Sequence, residues 1–99
     1  MTRSRYYDRR GQPITSDEWV MAFKDNSLLR TTLPGGTEIS TVYLGLDHRF
    51  GEGSPLIFET MVFGAVMDGE QERYSTEEEA RAGHEAMVRR VHAAFREES

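Results

Sequence analysis

The sequence predicts an α+β fold: an antiparallel sheet of about four strands, a short N-terminal helix, and a long C-terminal helix packed on the sheet. Three observations carry it. Ala80, His84, Met87, Val88, Val91 and Phe95 recur at steps of three and four, the stripe of an amphipathic helix laid on a sheet. The middle of the chain is rich in β-branched and aromatic residues and is broken by Pro34-Gly35-Gly36, a turn signal because Pro presets φ and Gly accepts φ > 0. Thr15/Glu18 and Thr76/Glu79 have the three-residue spacing of capping boxes, which marks two helix starts.

Taken in order, Arg5-Tyr6-Tyr7-Asp8 reads as a short strand, and Asp8-Arg9-Arg10-Gly11 turns the chain. A helix from Asp17 to Lys24 follows, with Trp19, Val20 and Phe23 as its apolar stripe. Asp25-Asn26-Ser27 ends it. Strands are expected over Leu28–Leu33 and Thr37–Leu44. A loop with three glycines runs from Gly45 to Pro55, and then comes the most hydrophobic window, Leu56–Phe63. A shorter strand spans Glu70–Tyr74, and the long helix opens at Ser75-Thr76-Glu77-Glu78-Glu79, where Ser75/Glu78 offers a second capping-box spacing.

Along the hydrophobic window Leu56, Phe58, Thr60 and Val62 point one way, and Ile57, Glu59, Met61 and Phe63 the other. Both sets are mainly apolar, so two covers are expected: the long helix on one face, the Trp19 helix or a second subunit on the other. A homodimer is therefore an expectation, and Trp19, Phe23, Tyr43, Phe58, Phe63 and Phe95 read as core.

Ninety-nine residues make a single domain, 1–99, and 37% apolar with 29% charged residues is an ordinary globular composition. With no cysteine, disulfides, zinc–thiolate sites and cysteine nucleophiles are excluded. No apolar run has the length of a membrane span or the form of a signal peptide, so a cytoplasmic protein with no membrane partner is expected. A net charge of −5 opposes nonspecific binding to phosphate backbones. The exception is the Arg3–Arg10 segment, where Arg3, Arg5, Arg9 and Arg10 are interleaved with Tyr6 and Tyr7, and arginine beside aromatics can stack on bases.

One constellation has residue types that suit chemistry. Asp47 and His48 sit in the glycine-containing loop, Glu59 is an acid inside the hydrophobic strand, and His84 lies on the apolar stripe beside Gly83. Imidazoles and carboxylates are the ligands of a metal site without cysteine and the groups of general acid–base catalysis. If the long helix packs on the Glu59 face, a Glu59–His84 pair becomes possible, with Asp47 as orienter. The catalytic candidates are therefore Asp47, His48, Glu59 and His84, and the metal candidates His48, Glu59 and His84. The structural account stands beside it: a loop Asp accepting backbone bonds, a strand Glu paired with an arginine, a satisfied core His. No HExxH or HxH spacing occurs. Gly45, Gly51 and Gly53 around Arg49 lead into a strand and not into a helix N-terminus, so they do not make a phosphate loop. No serine lies in a nucleophile elbow, and no cofactor motif is present.

The stretches Thr32–Gly36, Ser40–His48, Phe58–Phe63, Tyr74–Ala80 and Gly83-His84 resemble short uncharacterised proteins of actinobacteria and their phages, over roughly residues 5 to 90. That group has no established function and transfers no functional residues. The resemblance implies a small phage or prophage accessory protein that acts by binding another component. Three functions follow as expectations. The first is a non-enzymatic protein-binding module that self-associates and meets an unidentified host or phage protein. The alternative is a metal-dependent enzyme or small-ligand binder using Asp47, His48, Glu59 and His84. The third is a nucleic-acid contact through the arginine–tyrosine terminus.

Overall fold

In the computed structural model, residues 5–47 and 53–98 are described. They form α1 (Ser16–Phe23), β1 (Ser27–Thr32), β2 (Glu38–Tyr43), β3 (Phe58–Phe63), β4 (Gln71–Tyr74) and α2 (Glu77–Glu98). The fold is of the expected α+β class with a four-stranded antiparallel sheet; the strands pair in chain order, β1-β2-β3-β4, as a meander with the long helix across it.

Both helix starts close as capping boxes. Glu18 N donates to Thr15 Oγ1 at 3.1 Å while Thr15 N donates to Glu18 Oε1 at 2.9 Å. At α2 the Thr76–Glu79 pair does the same at 3.1 and 3.0 Å, and Ser75 N also reaches Glu79 Oε1. Thr76 is thus the cap, and the carboxylate of Glu79 serves the backbone of both residues that sequence spacing left open. A box of this kind contributes about 1 kcal/mol to its helix. The hairpin between β1 and β2 turns where Gly35 and Gly36 take φ of 96° and 93°, closed by Leu33 N donating to the Thr37 carbonyl at 2.8 Å.

Alternation along the two central strands decides the core. Ile39, Thr41 and Tyr43 of β2 and Phe58, Thr60 and Val62 of β3 are fully buried. They meet α2 through two clusters: Ile39, Val62, Met87 and Val91 toward the helix C-terminus, and Tyr43, Phe58 and Ala80 toward its start. Gly83 is the close-approach point. A Cβ there would stand 2.2 Å from the Tyr74 hydroxyl, so only glycine lets the helix settle onto β4.

Val20, expected on the apolar stripe of α1, is 50% exposed, and the structure departs from the sequence expectations in four further places. Residues 5–8 form no regular strand; Tyr6 and Tyr7 make single bridges to Leu46 and Pro13, because Asp8 Oδ1 accepts from Arg10 N and Gln12 N and curls the segment back. β3 starts at Phe58, two residues after the expected Leu56. Phe63 and Phe95 are not core: they are 49% and 39% exposed, the first on the far sheet face and the second against the Gly35 turn at the helix end. Finally, the sheet does not have both faces covered. Trp19 and Ala22 of α1 pack on the cluster of Tyr7, Tyr43, Ile57 and Phe58 that also receives Ala80 at the start of α2, and α2 is the helix that crosses the strands. Among the described residues, no helix covers the opposite face of the sheet.

Candidate functional site

The constellation read from the sequence is divided by the sheet. His84 points into the covered face, where it is 3% exposed. Glu59, alternating with the buried Phe58 and Thr60, points to the opposite face. The two therefore do not meet within one chain, because α2 packs on the Phe58 face and not on the Glu59 face. Asp47 lies at the end of the N-terminal bridge, its N–H donating to the Arg5 carbonyl at 3.2 Å. His48 lies outside the described residues, as do Arg3 and the Arg49–Gly51 part of the loop. Among the described residues no three His, Asp or Glu side chains converge in a way that could hold a metal.

Each of the two separated residues is satisfied where it stands. Glu59 Oε2 accepts from Arg73 Nε at 3.0 Å across the β3–β4 ladder, where the two residues are directly opposite. His84 makes two hydrogen bonds to hydroxyls: Nδ1 to Thr41 Oγ1 at 2.7 Å and Nε2 to Thr31 Oγ1 at 2.8 Å. Thr41 Oγ1 also bonds to Thr60 Oγ1 on the next strand. A neutral imidazole donates from one nitrogen and accepts at the other, and hydroxyls can match either role. Burial lowers the His84 pKa below its ordinary 6.5, and nearby Glu85 opposes this only in part. The group is a neutral core histidine joined to three threonines across three strands. The buried Tyr74 hydroxyl beside Thr60 finds no partner with hydrogen-bonding geometry among the described residues.

The N-terminal aromatics are used by the fold. Tyr7 is buried, and its carbonyl accepts from the Tyr43 hydroxyl. Tyr6 stacks on Trp19 with ring centroids 5.1 Å apart, and Trp19 Nε1 donates to the Leu44 carbonyl at 2.8 Å. Arg9 lies over the Tyr43 ring and donates to the Asp25 carbonyl. A base-stacking platform needs free aromatic faces, and these rings are packed against one another and against Arg9.

Two open features stand out among the described residues; the two-sided apolar pattern of Leu56–Phe63 pointed to the first as a face in need of a cover, and nothing in the sequence pointed to the second. One is the uncovered sheet face. Val42, Met61 and Phe63 form an apolar stripe down its middle, flanked by the Arg30–Glu38 pair at 3.3 Å on one side and Glu59–Arg73 at 3.0 Å on the other. The other is a shallow groove of about 370 Å³ between β1 and α2, lined by Leu29, Thr31, His84, Glu85, Val88 and Arg89. A separate crevice under Phe95, about 30 Å³, is an order of magnitude smaller than the roughly 300–1,000 Å³ of small-molecule sites.

No protein-family model matches the chain, no curated protein matches its sequence, and no solved structure matches it.

Proposed function

We propose that this chain is a non-enzymatic protein-binding module of accessory type that self-associates and presents its uncovered sheet face to a basic partner protein. The observation that supports the reading is the composition of that face. An apolar centre of Val42, Met61 and Phe63 inside a frame of charged pairs is how protein–protein interfaces are built, with an apolar core and a polar rim. The net charge of −5 favours a partner of opposite sign, which would associate faster at low salt. The titratable groups support the same reading, since Glu59 and His84 are each held by structural partners on opposite sides of the sheet.

The test has two parts. Sedimentation of the untagged protein over a wide concentration range should show a concentration-dependent dimer; a monomer throughout would remove self-association from the reading. A photo-crosslinking residue placed at Phe63 should capture a discrete basic protein from an actinobacterial lysate, while the same residue at the exposed Glu78 on α2 captures none. Equal capture at both positions, or none at Phe63, would sink the docking role of the open face.

A further inference from the structure

The two edges of the sheet are protected unequally. β4 is four residues long, carries Glu72 and Arg73, and is crossed by Arg90, which pairs with Glu70 at 2.9 Å and with Glu72 at 3.9 Å. Short length and charge are the usual devices that keep an edge from pairing. β1 has six residues, of which only Arg30 is charged, and the shallow groove between β1 and α2 runs beside it.

The backbone groups that β1 does not direct at β2 can be assigned. In an antiparallel ladder, opposite pairs alternate between hydrogen-bonded and non-bonded. Leu33 N donates to the Thr37 carbonyl, so with the register Thr32↔Glu38, Thr31↔Ile39 and Arg30↔Ser40, the next bonded pair is Thr31/Ile39. Arg30 and Thr32 therefore direct N–H and C=O away from β2, toward the free edge. From this we infer that β1 pairs antiparallel with β1 of a second copy, about a two-fold axis through Thr31. The inference rests on the self-association reading above and assigns its surface.

The register follows by elimination. An axis through Arg30 sets two arginines directly opposite, and like charges so placed are destabilising. An axis through Thr32 sets Arg30 against Pro34, which has no N–H to give. An axis through Leu29 needs Leu28, where the ladder has its register shift. The Thr31 axis opposes each Arg30 to Thr32 of the other copy, giving four backbone hydrogen bonds, and opposes Leu29 to Leu33 on the helix side. Charge complementarity points the same way. Glu85 and Arg89 line the β1 side of α2 one turn apart. The two-fold axis reverses the second helix, so Glu85 faces Arg89 of the other copy and Arg89 faces its Glu85. Because the axis is normal to the sheet, both open faces end on the same side, as one eight-stranded surface for the partner protein.

Thr32→Pro tests the edge, since it removes an outward N–H that β2 does not use and proline is tolerated at such positions. Sedimentation should show a monomer with unchanged far-ultraviolet circular dichroism. A Thr32→Pro protein that dimerises as well as the parent overturns the edge assignment and leaves self-association standing; a parent that never dimerises overturns both. Glu85→Arg and Arg89→Glu give a second route that leaves the strand intact. Each alone should weaken the dimer about tenfold, and the two together should restore it. Dissociation by Phe63→Arg instead, with the charge variants silent, would move the contact to the open face.

Discussion

The two faces of the same strands are built on different terms. On the covered face of β2 and β3, every side chain from Ile39 to Tyr43 and from Phe58 to Val62 is buried, and three of the polar residues buried with them, His84, Thr41 and Thr60, are joined in one network. On the open face, one residue along in each strand, Glu59 and Glu38 pair sideways with arginines on the neighbouring strands, and Phe63 stays half-exposed. The lesson is that a strand's composition does not reveal its neighbours. A window that reads as apolar on both sides has one side committed to the fold and the other available to a partner.

The largest expected effect compares two phenylalanines of β3. Phe58→Ala empties a fully buried site and should cost about 3–5 kcal/mol in urea unfolding. Phe63→Ala removes a ring that is 49% exposed and should cost no more than about 1 kcal/mol. Comparable losses would mean that the open face is already covered in the folded protein, and the contrast between the faces would fail.

Next in size is the contact where α2 meets β4. Gly83→Ala gains about 1 kcal/mol of helix propensity but drives a methyl into the Tyr74 side chain, whose hydroxyl is 2.2 Å and ring 2.3 Å away. Overpacking of this kind costs about 1–3 kcal/mol, so a net destabilisation is expected, read as a lower thermal midpoint. Tyr74→Phe deletes the buried, unbonded hydroxyl and should be neutral or slightly stabilising. A stabilised Gly83→Ala would show that the helix rides higher above the sheet than the structure places it.

How much of this was legible beforehand can be argued from particular residues. The helix starts at Thr15 and Thr76 and the Pro34-Gly35-Gly36 turn were readable because local hydrogen bonding and φ preferences act over three or four residues. Which face α2 would take was not. Leu56–Phe63 is apolar on both sides, so periodicity cannot choose between Phe58 and Glu59 as the inward row, and the pairing of Glu59 with His84 hung on that choice. Packing settles it: Ala80, Met87 and Val91 of α2 fit the Ile39–Val62 and Tyr43–Phe58 clusters, and Glu59 goes outward to Arg73. Phe63 and Phe95 misled in the same way, since an aromatic near an element's end can lie on the stripe and still be at the rim.

A smaller effect separates the faces by pH. His84 has its pKa lowered in the folded protein, chiefly by burial, so below 6.5 the unfolded chain binds the proton more readily. Stability is then full above the unfolded pKa and falls as pH drops from about 6.5 toward the depressed folded value. The slope is at most about 1.4 kcal/mol per pH unit for one proton. His84→Asn should lower stability at neutral pH and flatten that slope. A slope unchanged by the substitution would place the linkage on another group and leave the covered face without its titrating member.

The smallest effect belongs to the open face itself. Glu59→Gln removes one member of the Glu59–Arg73 pair, whose side chains are 13% and 34% exposed. Partly solvated pairs of this kind contribute about 0–1 kcal/mol, and the glutamine retains an acceptor for Arg73. The unfolding midpoint should therefore move little, and the remaining difference should shrink as salt is added. A loss of several kcal/mol would mark Glu59 as buried beneath a cover, since breaking a buried pair leaves an uncompensated charge. In that case the open face would be an interface already closed in the protein as purified. Repeating the titration on the Thr32→Pro monomer would then show whether the cover comes from a second copy or from the chain itself.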